Sequence, residues 1–184
     1  AEAFDPKALR ARLDRAPEIL ESRVIGQATA KRALLQAVSR AYAGTQDSNK
    51  PAVRALFVGP PGVGKSELAF ALGAAFNVPV TRVEMGRYAG GGVEAFQVEI
   101  LEAIRRGAYS VILLDEIEKA HPKVQEALLA AMDSGVMNVQ EALNSSGGRA
   151  MVRVSLRNCM IVATGNAAEA YILKEAQGGS SLGF

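Results

Sequence analysis

The stretch "VRALFVGPPGVGKSELAFALGAAF", Val53 to Phe76, decides the fold. It begins with "VRALFVG", a short and mostly apolar run suited to a strand buried on both faces, and then stops at "GPPGVGKS". After the stop, Leu68, Leu72 and Phe76 recur at intervals of four, which predicts a helix over Lys65 to Phe76. Gly59, Gly64, Lys65 and Ser66 complete the pattern G-x-x-x-x-G-K-[ST], lying between strand and helix, where the pattern has a physical meaning. Its glycines let the backbone turn tightly enough for N–H groups to face phosphate oxygens, and the helix N-terminus adds partial positive charge. Lys65 is then expected to place its charge on the β- and γ-phosphates of a nucleotide, and the Ser66 hydroxyl to ligate Mg²⁺.

Working outward, "VPVTRVEM" alternates like a second strand, "YSVILLD" reads as a third and "CMIVATGN" as a fourth. A helix is expected from Val93, with Phe96, Ile100 and Ile104 on one stripe, and another over Pro122 to Asp133, with Val124, Leu128, Leu129 and Met132 facing inward. Helical crossovers between apolar strands predict an α/β fold with a mostly parallel sheet between helical layers. The exception is "VMNVQEALNSSGGRAMVRVSL", two alternating runs about a Ser-Ser-Gly-Gly turn, expected as a hairpin that projects from the body. Upstream, Asp5 and Pro6 read as cap and first turn of a helix carrying Leu9 and Leu13, a lead-in over residues 1–22. A second helix runs from Gln27 until Gly44 ends it, before the loop "TQDSNKP".

The bulk numbers exclude several classes. With 184 residues, nearly half of them apolar, the chain can bury a substantial core. A net charge of +2 with interspersed signs carries no signature of nucleic acid or an anionic membrane surface. No apolar run reaches the ~18 residues of a membrane span. A single cysteine, Cys159 within "CMIVAT", forbids an internal disulfide and fits a buried thiol in a reducing, cytoplasmic setting.

"VILLDEIEKAHP" places Asp115 and Glu116 where an apolar strand emerges, the edge at which open parallel sheets bind ligands. Asp115 suits the Mg²⁺ shell, and Glu116 suits a base that orients and deprotonates a water attacking the γ-phosphate. Glu118 and Lys119 read as surface charges, and His121 as a cap or packing residue, since one histidine with no cysteine nearby makes a poor metal site. Asn166 ends "IVATGN" at the same edge, either to hydrogen-bond the γ-phosphate or water, or to cap the helix "AAEAYILKEA".

Taken together these motifs resemble an AAA+ ATPase, and specifically the C-terminal AAA+ module of Clp-type protein unfoldases. The resemblance rests on "VIGQ", "SNKPAVRALFVGPPGVGKSELA", "AYSVILLDEIEKAHPKVQEALL", "LRNCMIVATGN" and "SLGF". It implies a three-layer α/β/α P-loop NTPase fold, with residues 23–184 forming the large nucleotide-binding subdomain. It implies further that Val24 and Ile25 touch the adenine and that Gly59, Pro60, Pro61, Gly62, Val63, Gly64, Lys65, Ser66 and Glu67 surround the phosphates. Asp115 and Glu116 take the Walker B positions, with Ser66 and Asp115 on Mg²⁺, and Asn166 takes the sensor 1 position. The family couples ATP hydrolysis to pulling polypeptide through a hexameric ring, so the partners implied are a protein substrate and further copies of the chain.

Three departures qualify the resemblance. About a dozen residues that carry the family's aromatic grip are missing between "VEMGRY" and "LEAIRRGAYS", and Gly90 to Gly92 are expected to make a short, permissive connection instead. Tyr88 is expected to pack near the strand end, with a reduced grip as the rival reading. The segment from Gly135 to Arg157 is longer than its family counterpart. Finally, the sequence stops before the family's arginine finger and small helical subdomain, and Arg105, Arg106, Arg153 and Arg157 read as surface charges. Because such a finger is worth ~10³ to 10⁵ in rate, slow hydrolysis is expected of the isolated chain. The rival to a remodelling ATPase is an ATP-dependent scaffold or switch in a larger machine such as a secretion apparatus, without threading. A DNA-acting AAA+ protein is disfavoured because no basic aromatic stripe is evident in the sequence, and a small-molecule kinase because no acceptor-substrate site is discerned.

Overall fold

The computed structural model describes residues 6–43, 49–60, 62–107, 109–142, 148–166 and 182–183. The Asp5 cap, Gly44, Pro61, most of the Ser-Ser-Gly-Gly turn and the helix expected over 167–176 lie outside them. In chain order the elements are α1 (Pro6–Arg23), α2 (Ala28–Tyr42), β1 (Val53–Val58), α3 (Lys65–Phe76), β2 (Val80–Glu84), α4 (Val93–Arg106), β3 (Ser110–Asp115), α5 (Pro122–Ser134), β4 (Val136–Ala142), β5 (Arg149–Ser155), β6 (Cys159–Gly165) and β7 (Leu182–Gly183). Short 3₁₀ turns at Met85–Tyr88 and Ile117–Lys119 follow β2 and β3.

Five strands form one parallel sheet in the order β2-β3-β6-β1-β7. Each strand from "VRALFVG" to "CMIVATG" lies where the apolar runs put it, and β3 and β6 are buried along their whole length. The two-residue β7 adds a fifth strand beside β1, in register from Phe57↔Leu182, which no apolar run announces. Two hydrophobic clusters flank the sheet. Phe57, Leu68, Leu72, Phe76, Leu113 and Val162 fill one beneath α3, and Phe96, Ile100, Ile112, Leu114, Leu128 and Ile161 fill the other beneath α4 and α5. Residues alternate between the two along each strand because successive side chains point to opposite faces. Full burial of each large side chain is worth about 1.5–3 kcal/mol.

α1 is more than a lead-in. Its Ala16 and Leu20 are fully buried and belong to the cluster beneath α3, with Leu13 packed against it. The hairpin also departs from expectation. β4 and β5 pair antiparallel from Val136↔Ser155 to Ala142↔Arg149, as the alternation requires, yet they do not stand clear of the body. Met137, Val139 and Val154 bury one face in the cluster beneath α4 and α5, and Arg105 of α4 grips Glu141. A two-stranded ribbon is marginal alone in water, so its apolar face lies down on the nearest helices. Among the described residues, no helix is long and apolar enough to cross a membrane.

Candidate nucleotide site

Parallel β1, β6 and β3 are neighbours, so the segments leaving them meet at one rim of the sheet. The phosphate loop leaves β1, Asn166 follows β6, and Asp115 and Glu116 lie at the end of β3. Gly59 N–H donates to the Gly165 carbonyl at 3.2 Å, which ties the loop's first residue to the strand before Asn166.

Gly64 caps the N-terminus of α3 and holds φ 86° and ψ 16°, a left-handed conformation that L side chains enter at a cost. A glycine cap offers no oxygen to the first-turn N–H groups, so those donors stay turned to the rim. α5 contrasts with it. There Pro122 occupies the first turn and His121 Nδ1 accepts the Lys123 N–H at 3.2 Å, the capping role expected of this histidine. Lys65 Nζ donates to the carbonyls of Gly59 and, at 2.9 Å, Pro60, keeping its ammonium over the loop. Glu67 stands exposed on the first turn of α3.

The segment Val24 to Gln27 clasps this loop from behind. Gln27 adopts φ 55° and its Nε2 donates to the Val63 carbonyl at 2.9 Å. Val24 is buried against Gly64, whereas Ile25 is 97% exposed beside it. Of the pair expected on the adenine, one is thus a wall and the other a free apolar surface.

Asp115 is the hub. Its Oδ1 accepts from Ser66 Oγ at 3.0 Å and from Thr164 Oγ1, and its Oδ2 accepts from Arg82 Nε at 2.9 Å and Nη2 at 2.6 Å. Burial alone would push this carboxyl up, but the Thr164 and Ser66 hydroxyls and the Arg82 guanidinium together outweigh it and hold Asp115 below the usual carboxylate range. The Ser66 hydroxyl and Asp115 carboxylate are hard oxygen donors from two elements. Mg²⁺ takes one or two such groups alongside phosphate oxygens and water, so the pair fits that ion. Among the described residues, no cluster of three or more His, Cys, Asp or Glu side chains makes a protein-only metal cage.

Glu116 sits at φ 58° and ψ 58°, the left-handed region, with its N–H donated to Thr164 Oγ1 at 3.0 Å. Strain of this kind in a non-glycine residue persists where neighbours over-determine it. Its half-exposed carboxylate accepts from Lys119 Nζ at 2.7 Å, and that partner raises the Lys119 pKa.

Sequence reasoning missed two residues. Arg82, on the alternating strand β2, gave no signal beyond its even spacing from Glu84 toward one face, and Thr164 was concealed within the apolar run of β6. One expectation is corrected. Glu118 is no surface charge: its Oε1 accepts the Asn166 N–H at 3.2 Å and its Oε2 is buried, because the 3₁₀ turn folds the side chain back over β6. Tyr88 is buried, stacks edge-on against Phe96 with ring centres 5.5 Å apart, and donates its hydroxyl to Glu99. That is the packing role, and the left-handed Gly91 and Gly92 make the short connection to α4.

A family model described as AAA domain (Cdc48 subfamily) matches residues 50–181. The chain is 39% identical over 173 residues to the mitochondrial chaperone protein ClpB4 of Arabidopsis thaliana, covering 85% of this chain and 17% of that protein. It is 38% identical over 180 residues to chaperone protein ClpB of Lactococcus lactis subsp. cremoris, covering 89% and 20%. It is 37% identical over 189 residues to ClpB of Bacillus cereus, covering 94% and 21%. The chain therefore spans about a fifth of the length of these curated relatives.

Proposed function

The chain belongs to the AAA domain family, Cdc48 subfamily, and from that premise we propose that it is the ATP-binding core of a Clp-like ATPase that couples hydrolysis to protein remodelling. The observation that carries this reading is the 3.0 Å contact between Ser66 and Asp115, which joins the phosphate loop of β1 to the acid pair of β3. In this reading the loop from Gly59 to Ser66, with Glu67 on the following turn, cradles the phosphates, and Lys65 releases its two carbonyl partners for phosphate oxygens. Val24 and Ile25 border the base. Ser66 and Asp115 hold Mg²⁺, which supplies charge neutralisation on the phosphates when bound. Glu116 takes the proton of the attacking water, and Asn166 orients that water or the γ-phosphate.

The relatives named chaperones support a protein as substrate, and ring assembly with further copies of the chain, a hexamer by family resemblance, belongs to the same proposal. So do a cytoplasmic setting and a large subdomain over residues 23–184. Turnover by the isolated chain is proposed to be slow. Arg105 is held by Glu141 and Arg157 by Asn49, so these two arginines are committed elsewhere than on a γ-phosphate.

A second reading, an ATP-dependent scaffold or switch without threading, is favoured by one observation: the aromatic of the β2–α4 turn is spent on Phe96 and Glu99. ATP turnover without any effect on an unfolded polypeptide would select it.

The site itself is tested by calorimetric titration with ATP. Lys65→Ala is expected to weaken binding by about a hundredfold or more, as loss of a charge-assisted contact implies. Glu116→Gln is expected to bind as the parent does while hydrolysis falls by about 10²–10⁴-fold. Equal ATP affinity in Lys65→Ala and the parent chain would contradict the assignment.

A further inference from the structure

Glu118 is a charged side chain with no part in the chemistry above, yet it is folded into the rim. Its turn is braced from inside by Gln125, whose Nε2 donates to the carbonyls of Ile117 at 3.1 Å and Ala120 at 2.9 Å. From that turn the carboxylate crosses the end of β6. Oε1 accepts the Asn166 N–H at 3.2 Å, beyond the last registered pairs of β6, Val58↔Gly165 and Leu114↔Ala163. Oε2 is buried, without a hydrogen-bond partner among the described residues, and a Cβ on Gly165 would come within 3.3 Å of it. The close fit leaves room for glycine ahead of Asn166. The ends of β3 and β6 are thus tied twice. Thr164 bonds Asp115 and the Glu116 N–H, and Glu118 bonds the Asn166 N–H.

A buried carboxylate oxygen without a donor costs free energy, so a side chain kept in that position opposes its own solvation to make the Asn166 contact. An aliphatic side chain would fill the space at lower cost, but it would leave the Asn166 N–H without this acceptor. We propose that Glu118 is a positioning residue whose carboxylate, by accepting the Asn166 N–H, sets where the Asn166 side chain stands over the nucleotide. The proposal rests on the reading of Asn166 given above.

Two measurements on the full 184-residue chain test it. In amide hydrogen exchange, Glu118→Ala is expected to speed exchange at Asn166 by about tenfold or more, the loss of one charge-assisted bond, while Glu118→Gln, which keeps an acceptor oxygen, stays near the parent. Unchanged exchange at Asn166 in Glu118→Ala overturns the proposal, whatever the turnover. In single-turnover ATP hydrolysis, Glu118→Ala is expected to slow the chemical step by about tenfold with ATP affinity kept, and Glu118→Gln to restore it. The double variant Glu118→Ala/Asn166→Ala is expected to be no slower than Asn166→Ala, because both changes remove one function. Additive losses overturn the role of Glu118 alone. An Asn166→Ala chain that hydrolyses at the parent rate shows the fault to lie in the reading of Asn166, and takes this proposal with it.

Discussion

Two turns leave the parallel sheet through glycines and enter a helix, and they use the same backbone for opposite ends. After β1, Gly64 caps α3 at φ 86°; after β2, Gly92 caps α4 at φ 85°. Neither cap supplies a side-chain oxygen to its helix, and each helix carries one acid in its first turn, Glu67 or Glu94. The difference lies in what stands around the cap. Lys65 and Ser66 follow Gly64, and Ser66 donates to the Asp115 carboxylate at the end of β3, whereas Val93 follows Gly92 and packs toward the core with Tyr88 and Phe96. A left-handed glycine before a helix therefore specifies a turn, and the chemistry comes from the side chains that converge on it from other strands.

The largest expected effect probes the packed turn. Phe96→Ala removes the ring on which Tyr88 rests and is expected to cost about 3–5 kcal/mol, read as a fall in denaturation midpoint. A loss under about 1 kcal/mol would mean that the connection is held by its backbone alone. Next, Gly64→Ala and Gly92→Ala should each cost about 1–2 kcal/mol, since both force an L residue into left-handed space. Only Gly64→Ala should also weaken ATP binding. Equal loss of affinity in both would erase the contrast between the turns.

Tyr88→Phe is a smaller change, expected to cost about 1 kcal/mol through the lost bond to Glu99. Burial first, and then that bond, push the Tyr88 phenol up to about 12. An alkaline absorbance titration should accordingly lose a phenol step near pH 12 in the variant, and an unchanged step there would contradict the packed geometry. The smallest effect concerns the phosphate-side turn. The Asp115 pKa is depressed in the folded chain, so its stabilising contribution is complete above the ordinary value of 3.8 and is lost as pH falls below it toward the folded pKa. In thermal melts between about pH 5 and pH 2, Asp115→Asn should show a shallower acid decline than the parent. Parallel declines would show that Asp115 has no preferential tie to Ser66, Thr164 and Arg82.

Local patterns reached a long way in this protein. The motif from Gly59 to Ser66, the apolar strands, the stripe from Val93 to Ile104 and the cap at His121 were all readable, because each depends on spacing along the chain. What failed depended on contacts across it. Glu118 read as a surface acid because three-residue context cannot show a carboxylate turning back over a neighbouring strand. Arg82 and Thr164 went unnoticed because their meaning lies in Asp115, on the strand adjacent to both. The hairpin was expected to project because alternation reveals an apolar face but not the surface of α4 that covers it.

By itself, then, the order of residues determined the elements and the glycine-dependent turns and named the groups proposed for phosphate chemistry, since backbone preference and side-chain period act over a few residues. Tertiary structure alone decided the strand order β2-β3-β6-β1-β7 and, through it, which hydroxyls, acids and cations share the rim. The physical reason is that hydrogen bonds and ion pairs form between atoms a few ångströms apart, and only packing the sheet between its two cores brings side chains dozens of residues apart to that distance.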